Sequence, residues 1–393
     1  MKKVIITDLL ILAVFGSTCF WSVKKDRLTA LVDKILTEQT SEDEEILVLT
    51  SSNLAKKNGQ IGETQMSENA DKASEENTTK DYIKWVDFTV SKFALTESYE
   101  YDRDTYGTNR HISWIDLLAW TAAHTGGKFG DDRTVCKCME ELETEVEFGK
   151  KLEELTEDLE YFPYYREVYE TVLGGMVGEY EIEEPDAQGR KVTQKRYGLK
   201  AFHPIAKGFP YTDYDDFGAS RSYGYRREHL GHDMMGQVGT PVVCVESGYV
   251  EALGWNQYGG WRIGIRSFDK KRYYYYAHLR QGFPYQPELK EGSVVLAGDV
   301  IGYMGHTGYS TKEDVNNIDQ THLHVGMQLI FDESQKDSDN EIWIDCYQIM
   351  GFLYQNQSET ARNDETKEWR RIYEMKDPAA EKYERTLDFS MYP

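Results

Sequence analysis

Basic side chains, cysteines and histidines are all scarce in this 393-residue sequence. Lysine and arginine total 45 against 68 aspartates and glutamates, which leaves a formal net charge of −23 at pH 7. Because a protein that binds phosphate backbones needs a basic surface, this balance argues against a nucleic-acid-binding function. The five cysteines are too few for a disulfide framework, and Cys136 and Cys138 lack the second pair that a zinc ribbon requires.

The residues that are plentiful indicate a folded, β-rich protein. The chain is long enough for two modest domains, and its hydrophobic content of 40% permits a real core. Aromatic residues reach 13% and include 28 tyrosines. That composition favours β structure and surfaces that bind carbohydrate or peptide.

The first 80 residues carry an apolar run followed by a polar stretch. The run from Val4 to Val23 is about as long as a membrane-spanning helix requires. We therefore expect an uncleaved single-pass anchor over residues 1–25, with a cleaved signal peptide as the alternative. Positive residues flank the run on both sides, so the charges leave its orientation open. Residues 26–80 are rich in Ser, Glu, Asn and Thr, which predicts a flexible tether.

The rest of the chain changes from helical to strand periodicity, so the predicted fold class is multidomain α and β. Residues 81–178 carry apolar positions at helical spacing and predict a helical module. Residues 179–352 hold short β-branched and aromatic runs between glycine turns, which predicts an all-β antiparallel domain, a sandwich or a partly closed barrel. Residues 353–393 form a polar tail, with a peripheral helix expected around KEWRRIYEM.

Two short clusters in the β region, REHLGHDMMG and QTHLHVGM, hold four of the nine histidines. Alternate residues of a strand share a face, so His322 and His324 are expected to point the same way, about 7 Å apart. One of them can bind a metal while the other lies beside its open position. His229 and Asp233 add an imidazole and a carboxylate, and two histidines with one carboxylate are a common catalytic zinc set. Taken singly, each cluster is also explained by ordinary surface or core histidines or by an ion pair.

Further motifs lie between these clusters in a fixed order. They are GTPVV, YAHL and a glycine-rich run that ends in GYMGHTGYS. Together with H-x-x-x-D at the start and H-L-H at the end, this order resembles the lysostaphin-type (LytM-like) zinc metallopeptidases, which cut peptidoglycan peptides. The resemblance covers little more than a quarter of the chain and implies a LytM-type catalytic domain.

The resemblance also implies roles for particular residues. One zinc ion would be bound by His229, Asp233 and His324, with His278 and His322 as the acid/base pair beside it. Zinc activates water at neutral pH. An imidazole suits the accompanying proton transfers because it titrates near that pH.

Three other histidines and one insertion complete the expectations for this region. His232 is expected to support the site or to be exposed, His306 to line the groove, and His203 to be structural. Residues 312–321, KEDVNNIDQT, replace the short Gly-Pro step that usually follows the glycine-rich run in this family. We expect this acidic insertion at the rim of the metal cleft, where its carboxylates would favour a substrate that bears a free amine.

The leading functional prediction is a zinc metalloendopeptidase that hydrolyses peptide bonds of bacterial peptidoglycan. Its N-terminal segment would hold it on the outer face of the cell membrane, or it would be secreted. The alternative is a catalytically silent wall- or partner-binding module that scaffolds or activates another hydrolase. A peptidase that acts on a protein substrate also stays open. Silent members of the family would be expected to lose ligands or catalytic histidines, and this chain keeps all five positions.

Overall fold

The structure, a computed structural model, describes residues 88–222, 227–336 and 341–390. All of them belong to one compact unit that spans Asp81–Pro393. The predicted membrane segment and tether, residues 1–80, lie outside the described residues. Within the described part, none of the helices is both long enough and apolar enough to cross a membrane.

Helices dominate the first part of this unit. Their bounds are Lys92–Thr105 (α1), Trp114–Thr125 (α2), Asp132–Glu147 (α3), Leu152–Thr156 (α4) and Phe162–Leu173 (α5). Ser113 caps α2 by accepting a hydrogen bond from the backbone N–H of Asp116, and Gly126 ends it in the left-handed conformation with φ 62°. The helical module expected from apolar spacing is confirmed.

Strands are the main regular elements of the remainder. The first nine are Val177–Pro185 (β1), Lys191–Leu199 (β2), Thr212–Asp213 (β3), Ser220–Arg221 (β4), Arg227–Glu228 (β5), His232–Met235 (β6), Pro241–Val243 (β7), Gly248–Asn256 (β8) and Gly260–Ser267 (β9). The later ones are Arg272–Ala277 (β10), Val294–Val295 (β11), Val300–Tyr303 (β12), His322–Leu329 (β13), Ile342–Ile344 (β14), Thr360–Arg362 (β15), Trp369–Arg371 (β16) and Met375–Lys376 (β17). Two further helices are Tyr347–Leu353 (α6) and Pro378–Ser390 (α7).

The main sheet has the strand order β11-β8-β9-β10-β13-β6-β3, and β14 also pairs with β13. All of its neighbouring strands are antiparallel. Its outer strands, β11 and β3, hold two residues each and lie at opposite ends of the order. The antiparallel β architecture is therefore confirmed, whereas the partly closed barrel is not, because the described strands of this sheet form no closed ring.

The tail differs from its prediction, since strands β16 and β17 take the place of the helix expected around KEWRRIYEM. The backbone N–H of Trp369 donates to the Tyr303 hydroxyl at 3.0 Å, and its carbonyl accepts from Gln286 Nε2 at 2.6 Å. Arg371 Nη1 donates to the carbonyl of Ala297 at 2.9 Å. These long-range bonds hold the segment extended and outweigh its local helical propensity.

One hydrophobic core joins the helices to the main sheet. Both regions contribute fully buried side chains, among them Leu95, Leu117, Val172, Val325, Met327 and Ile349. A buried ion pair reinforces the junction: Arg272 contacts the carboxylate of Glu246 through Nε and Nη2 at 2.8 and 2.9 Å. Its Nη1 donates to the carbonyl of Thr171 in α5 at 2.6 Å. The sheet therefore has an apolar face in the core, and its other face is available for polar groups.

Candidate metal centre

The neighbouring strands β6 and β13 bring the two histidine clusters together. Along β13, Leu323 and Val325 are fully buried in the core, so the alternating positions His322 and His324 lie on the opposite, polar face. Asp233 of β6 is the direct cross-strand partner of His324. Residues 91 positions apart in the chain thereby face each other on one side of the sheet.

His229, between β5 and β6, completes a compact group of three possible ligands. Its Nε2 lies 3.0 Å from Asp233 Oδ1 and 3.0 Å from His324 Nδ1, and the last two atoms are 2.9 Å apart. Gly231 makes this approach possible, because a Cβ there would lie 2.5 Å from the His324 ring and 2.8 Å from the carbonyl of Val325.

The geometry of this triangle fits a zinc ion. Zinc holds nitrogen and carboxylate oxygen at about 2.0–2.2 Å in a tetrahedron, which separates neighbouring ligand atoms by roughly 3.3 Å. The three observed edges are only a few tenths of an ångström shorter than that. Two imidazoles and one carboxylate are also a donor set that zinc prefers, and they leave a fourth position open.

A second layer of contacts orients His229 and Asp233. His229 Nδ1 donates to the carbonyl oxygen of Asp216 at 3.2 Å and lies 3.1 Å from its Oδ1. Because a carbonyl oxygen only accepts, Nδ1 carries the proton and Nε2 presents its lone pair to the triangle. Arg221 joins the same network: its Nη2 contacts Asp216 Oδ2 and lies 3.2 Å from Asp233 Oδ2. Sequence reasoning missed Asp216 and Arg221, and no motif marks either residue.

The pKa shifts of Asp233 and His324 suit ligation, whereas the shift of His229 runs the other way. Burial raises the pKa of Asp233, but its hydrogen bonds to His229 and His324 outweigh burial and hold this pKa far below its usual range. Burial lowers the pKa of His324. Burial also opposes charge on His229, but the contact with Asp233 prevails and raises its pKa. Asp233 is thus ionised and His324 favours its neutral form, as metal ligands must be.

His278 and His322 lie beside the triangle with their rings anchored in the same manner. Their ring centroids are 4.6 Å apart. His278 Nδ1 donates to the carbonyl of Thr307 at 3.0 Å, and His322 Nδ1 donates to that of Gln320 at 2.7 Å. The Nε2 atom of each ring is therefore left free of its proton in the neutral form. His322 Nε2 lies 3.7 Å from Asp233 Oδ1 and so faces the triangle.

The backbone at His278 is unusual. Directly after β10 the residue takes φ 60°, in the left-handed region that non-glycine residues rarely adopt. Burial, followed by the neighbouring His322 and His324, lowers its pKa well below the ordinary value. A neutral imidazole is thereby held in a conformation that the surrounding structure imposes.

An open cleft of about 680 Å³ contains all five residues and runs over the polar face of the main sheet. Although the chain as a whole is strongly acidic, cations slightly outnumber carboxylates in the cleft, by four to three. The cations are Arg221, Arg227, Arg262 and Lys336, and the carboxylates are Glu228, Asp233 and Glu341.

None of residues 312–321 of the acidic insertion lines the cleft itself, although Asn317 Nδ2 donates to the carbonyl of Tyr309, which does. Asp314 Oδ1 accepts hydrogen bonds from Trp261 Nε1 at 2.7 Å and from the backbone N–H of Gly282 at 2.8 Å. Asn316 Nδ2 donates to Gln281 Oε1 at 2.8 Å. These groups fasten the insertion to the neighbouring loop.

The other histidines of the β region do not join the site. His232 lies on the opposite face of β6, is almost fully buried, and contacts Asp213 Oδ2 through Nε2 at 2.9 Å. His306 is bound to the carbonyl of Ile318 at 2.7 Å and does not line the cleft. His203 is fully buried against the Tyr211 hydroxyl, 3.0 Å from its Nε2, which agrees with a structural role.

Comparisons with known proteins converge on the same region. Residues 227–338 match the model of Peptidase family M23. The L-Ala–D-Glu endopeptidase of Bacillus subtilis is 42% identical over 124 residues, which cover 32% of this chain and 36% of that protein. Lysostaphin of Staphylococcus staphylolyticus is 39% identical over 84 residues, which cover 21% of this chain and 16% of that protein. The chain thus spans about a third and about a sixth of these two relatives.

Among solved structures, the catalytic domain of lysostaphin from Staphylococcus simulans is 29% identical, with a TM-score of 0.28. That match covers 36% of this chain and 92% of the lysostaphin domain. The family match begins at β5, includes the four histidines and the aspartate of the site, and ends beyond β13. Residues 227–338 of this chain are therefore similar to Peptidase family M23, and the relatives that match this part of the chain include lysostaphin.

Proposed function

We propose that this protein is a zinc-dependent endopeptidase that hydrolyses peptide bonds of bacterial peptidoglycan. One observation carries the proposal: a triangle of His229, Asp233 and His324 lies in an open cleft beside two further imidazoles with free Nε2 atoms. Peptidases of this family are generally zinc-dependent. The relatives named above are an L-Ala–D-Glu endopeptidase and lysostaphin.

In this proposal the three residues of the triangle hold the zinc ion. Bound zinc would polarise the scissile carbonyl and bring the pKa of water down to about 7. Asp216 and Arg221 orient two of the ligands from behind. The carboxylate of Asp233 is already ionised by its contacts with the histidines, so no proton has to leave it when the metal binds.

His278 and His322 carry the proton transfers. In the neutral form of each ring the proton lies on the Nδ1 that donates to a backbone carbonyl, so the Nε2 lone pair can accept the proton of the attacking water. The same proton then passes to the leaving amine, which must be protonated before it departs. The ring centroids are 4.6 Å apart, so both imidazoles can lie beside one reacting group, and the ring that has accepted the proton of water then acts as the acid.

The proposed partner is the peptide part of peptidoglycan, which requires the β region to lie outside the cytoplasm. Membrane attachment rests on the apolar sequence of residues 4–23 alone, with secretion as the alternative. The strongly acidic composition argues against nucleic acid.

The rival function is a silent module on the same fold that scaffolds or activates another hydrolase. The silent module and the endopeptidase differ in the role that they give to His278 and His322. A silent module has no need of two imidazoles with anchored Nδ1 and free Nε2 atoms beside a metal, so their presence favours the enzyme.

The test combines metal content with wall digestion. The full chain, loaded with zinc and freed of excess metal, should contain one zinc ion per chain by elemental analysis. It should also release peptide fragments from purified cell walls, as detected by mass spectrometry. His229→Ala and His324→Ala should lose the metal. His278→Ala and His322→Ala should keep it and cut about 100-fold more slowly.

His232→Ala is the matched control, because His232 lies behind the same strand and should affect neither metal nor turnover directly. Walls left intact by the zinc-loaded chain would favour the silent module. Undiminished turnover in both the His278 and His322 variants would remove their assigned roles.

A further inference from the structure

Two buried hydrogen-bond donors of the cleft have no partner in the described part of the chain. They are Arg262 Nη1 and Gln328 Nε2. Among the cleft-lining side chains described, no buried acceptor is left in that state. Because buried polar groups are normally satisfied, these two donors mark places beside the cleft where the described part of the chain supplies no acceptor.

Arg262 lies in line with the metal triangle across the sheet. Gly254 on β8 is its cross-strand partner, and Ile263, the next residue of β9, pairs with Tyr276 of β10. Arg262 is therefore level with Ala277, which in turn pairs with His324. Two interstrand spacings separate Arg262 from His324, about 10 Å between backbones.

The residues level with Arg262 on the two neighbouring strands, Gly254 and Ala277, are small and leave room around its side chain. A Cβ added to Gly254 would meet nothing within 4 Å. An extended peptide advances about 3.3–3.6 Å per residue, so about 10 Å corresponds to no more than three residues of substrate. A group bound by Arg262 therefore belongs to a residue close to the bond at the metal.

The charge of Arg262 is not neutralised by its described neighbours. No carboxylate pairs with it in that part of the chain, and burial raises the pKa of the nearby Tyr275 hydroxyl, which stays neutral. Other cations of the cleft differ: Lys336 lies 3.1 Å from Glu251, and Arg221 contacts Asp216. A guanidinium fork without a carboxylate is suited to receive one, because it binds both oxygens at once.

We infer that Arg262 forms a carboxylate-binding subsite, which selects peptides with a free carboxylate within three residues of the scissile bond. The inference rests on the proposed endopeptidase function and names its substrate class. The sequence had suggested that carboxylates of the acidic insertion favour a substrate with a free amine. The inference is the reverse, because the cleft itself holds a cation, Arg262, that no described carboxylate pairs with. In peptidoglycan stems the matching group is the free α-carboxylate of a γ-linked glutamyl residue, which amidation removes.

Binding of two synthetic stem pentapeptides tests this subsite. Both have the order L-Ala, D-Glu, L-Lys, D-Ala, D-Ala with a γ-linked glutamyl residue, and one has its α-carboxylate converted to the amide. The terminal carboxylate is common to both and cancels in the ratio. Calorimetry on the full chain, loaded with zinc and carrying His278→Ala to slow turnover, should show at least tenfold tighter binding of the peptide with the free carboxylate.

Adding Arg262→Gln should bring the two affinities within about twofold by weakening only the carboxylate peptide, and Arg262→Lys should restore part of the ratio. Lys336→Gln is the matched control, because this cation lines the same cleft but is already paired, and it should keep the full ratio. Unaltered melting temperatures will show that the variants fold.

The possible outcomes distinguish failure of the proposed subsite from failure of the proposed endopeptidase function. Equal affinities in the parent, failure of both peptides to bind, or a ratio that survives Arg262→Gln would overturn the subsite. A ratio that depends on Arg262 in a chain whose unmodified form leaves walls intact would uphold the subsite and remove the endopeptidase function. Digestion of walls by a chain that binds the two peptides equally would uphold the endopeptidase function and remove the subsite.

Discussion

Strand β10 has a polar cluster at each end. At its first residue, Arg272 meets Glu246, and the Tyr274 hydroxyl donates to the same carboxylate at 2.7 Å. Directly after its last residue, His278 enters the group of histidines around Asp233. The first cluster is buried and the second is partly buried, and in both a carboxylate has close polar neighbours.

The two clusters differ in how their donors and acceptors match. Around Arg272 every nitrogen of the guanidinium has an acceptor, with Thr171 and Asp269 taking the bonds that Glu246 does not. Around Asp233, two ring nitrogens and a carboxylate oxygen crowd within 2.9–3.0 Å of one another. A matched cluster stabilises a fold, whereas three converging lone-pair atoms call for a cation.

Removing one partner of the matched cluster should have the largest effect. Arg272→Ala leaves Glu246 buried without its cation, which is expected to lower the free energy of unfolding by about 3–5 kcal/mol. Urea titration in the presence of a chelator measures this without any metal contribution. The double variant Arg272→Met with Glu246→Gln should recover part of the loss, because it buries no charge. A loss below about 1 kcal/mol would show that the cluster does not support the fold.

A smaller effect is expected where the backbone shapes the metal triangle. Gly231→Ala places a methyl group against the His324 ring, and overpacking of this kind costs about 1–3 kcal/mol. If the whole cost falls on the metal-bound state, zinc affinity drops roughly 5- to 150-fold, as measured by competition with a chelating dye. Gly130→Ala is the control, because a Cβ there meets nothing within 4 Å. Unchanged affinity in Gly231→Ala would mean that the His324 ring shifts without harm to ligation.

The smallest effect should come from Asp216, which contacts the candidate ligand His229. Asp216→Asn keeps the backbone carbonyl that accepts from His229 but removes the charge beside it, and zinc affinity should fall by about tenfold. Asp213→Asn is its counterpart, since Asp213 also contacts a histidine, His232, which lies outside the site. Equal zinc affinities in the two variants would show that Asp216 only supports the loop.

Strand periodicity and residue type were enough to anticipate much of the candidate site. The alternation along β13 put His322 and His324 on one face, and the structure places Leu323 and Val325 in the core as that alternation requires. The pairing of His324 with Asp233 depends on β6 lying next to β13, which periodicity alone does not specify. The family resemblance supplied that connection.

Other features depend on contacts that no local pattern encodes. Asp314 has the residue type expected at a peptide-binding rim, yet Trp261 and Gly282 take its side-chain oxygen. The tail segment has helical composition, but bonds from Gln286 and to Tyr303 hold it as a strand. In each case a distant partner competes with the local preference and prevails.

The shared core has a consequence for recombinant work on this protein. The family match begins at Arg227, but the folding unit begins near Asp81, because α5 bonds to Arg272 and the helices contribute to the same core as β13. A fragment cut at Arg227 would keep every candidate ligand and still expose apolar surface that the helices normally cover. Such exposed surface promotes aggregation, so soluble expression calls for truncation ahead of residue 81.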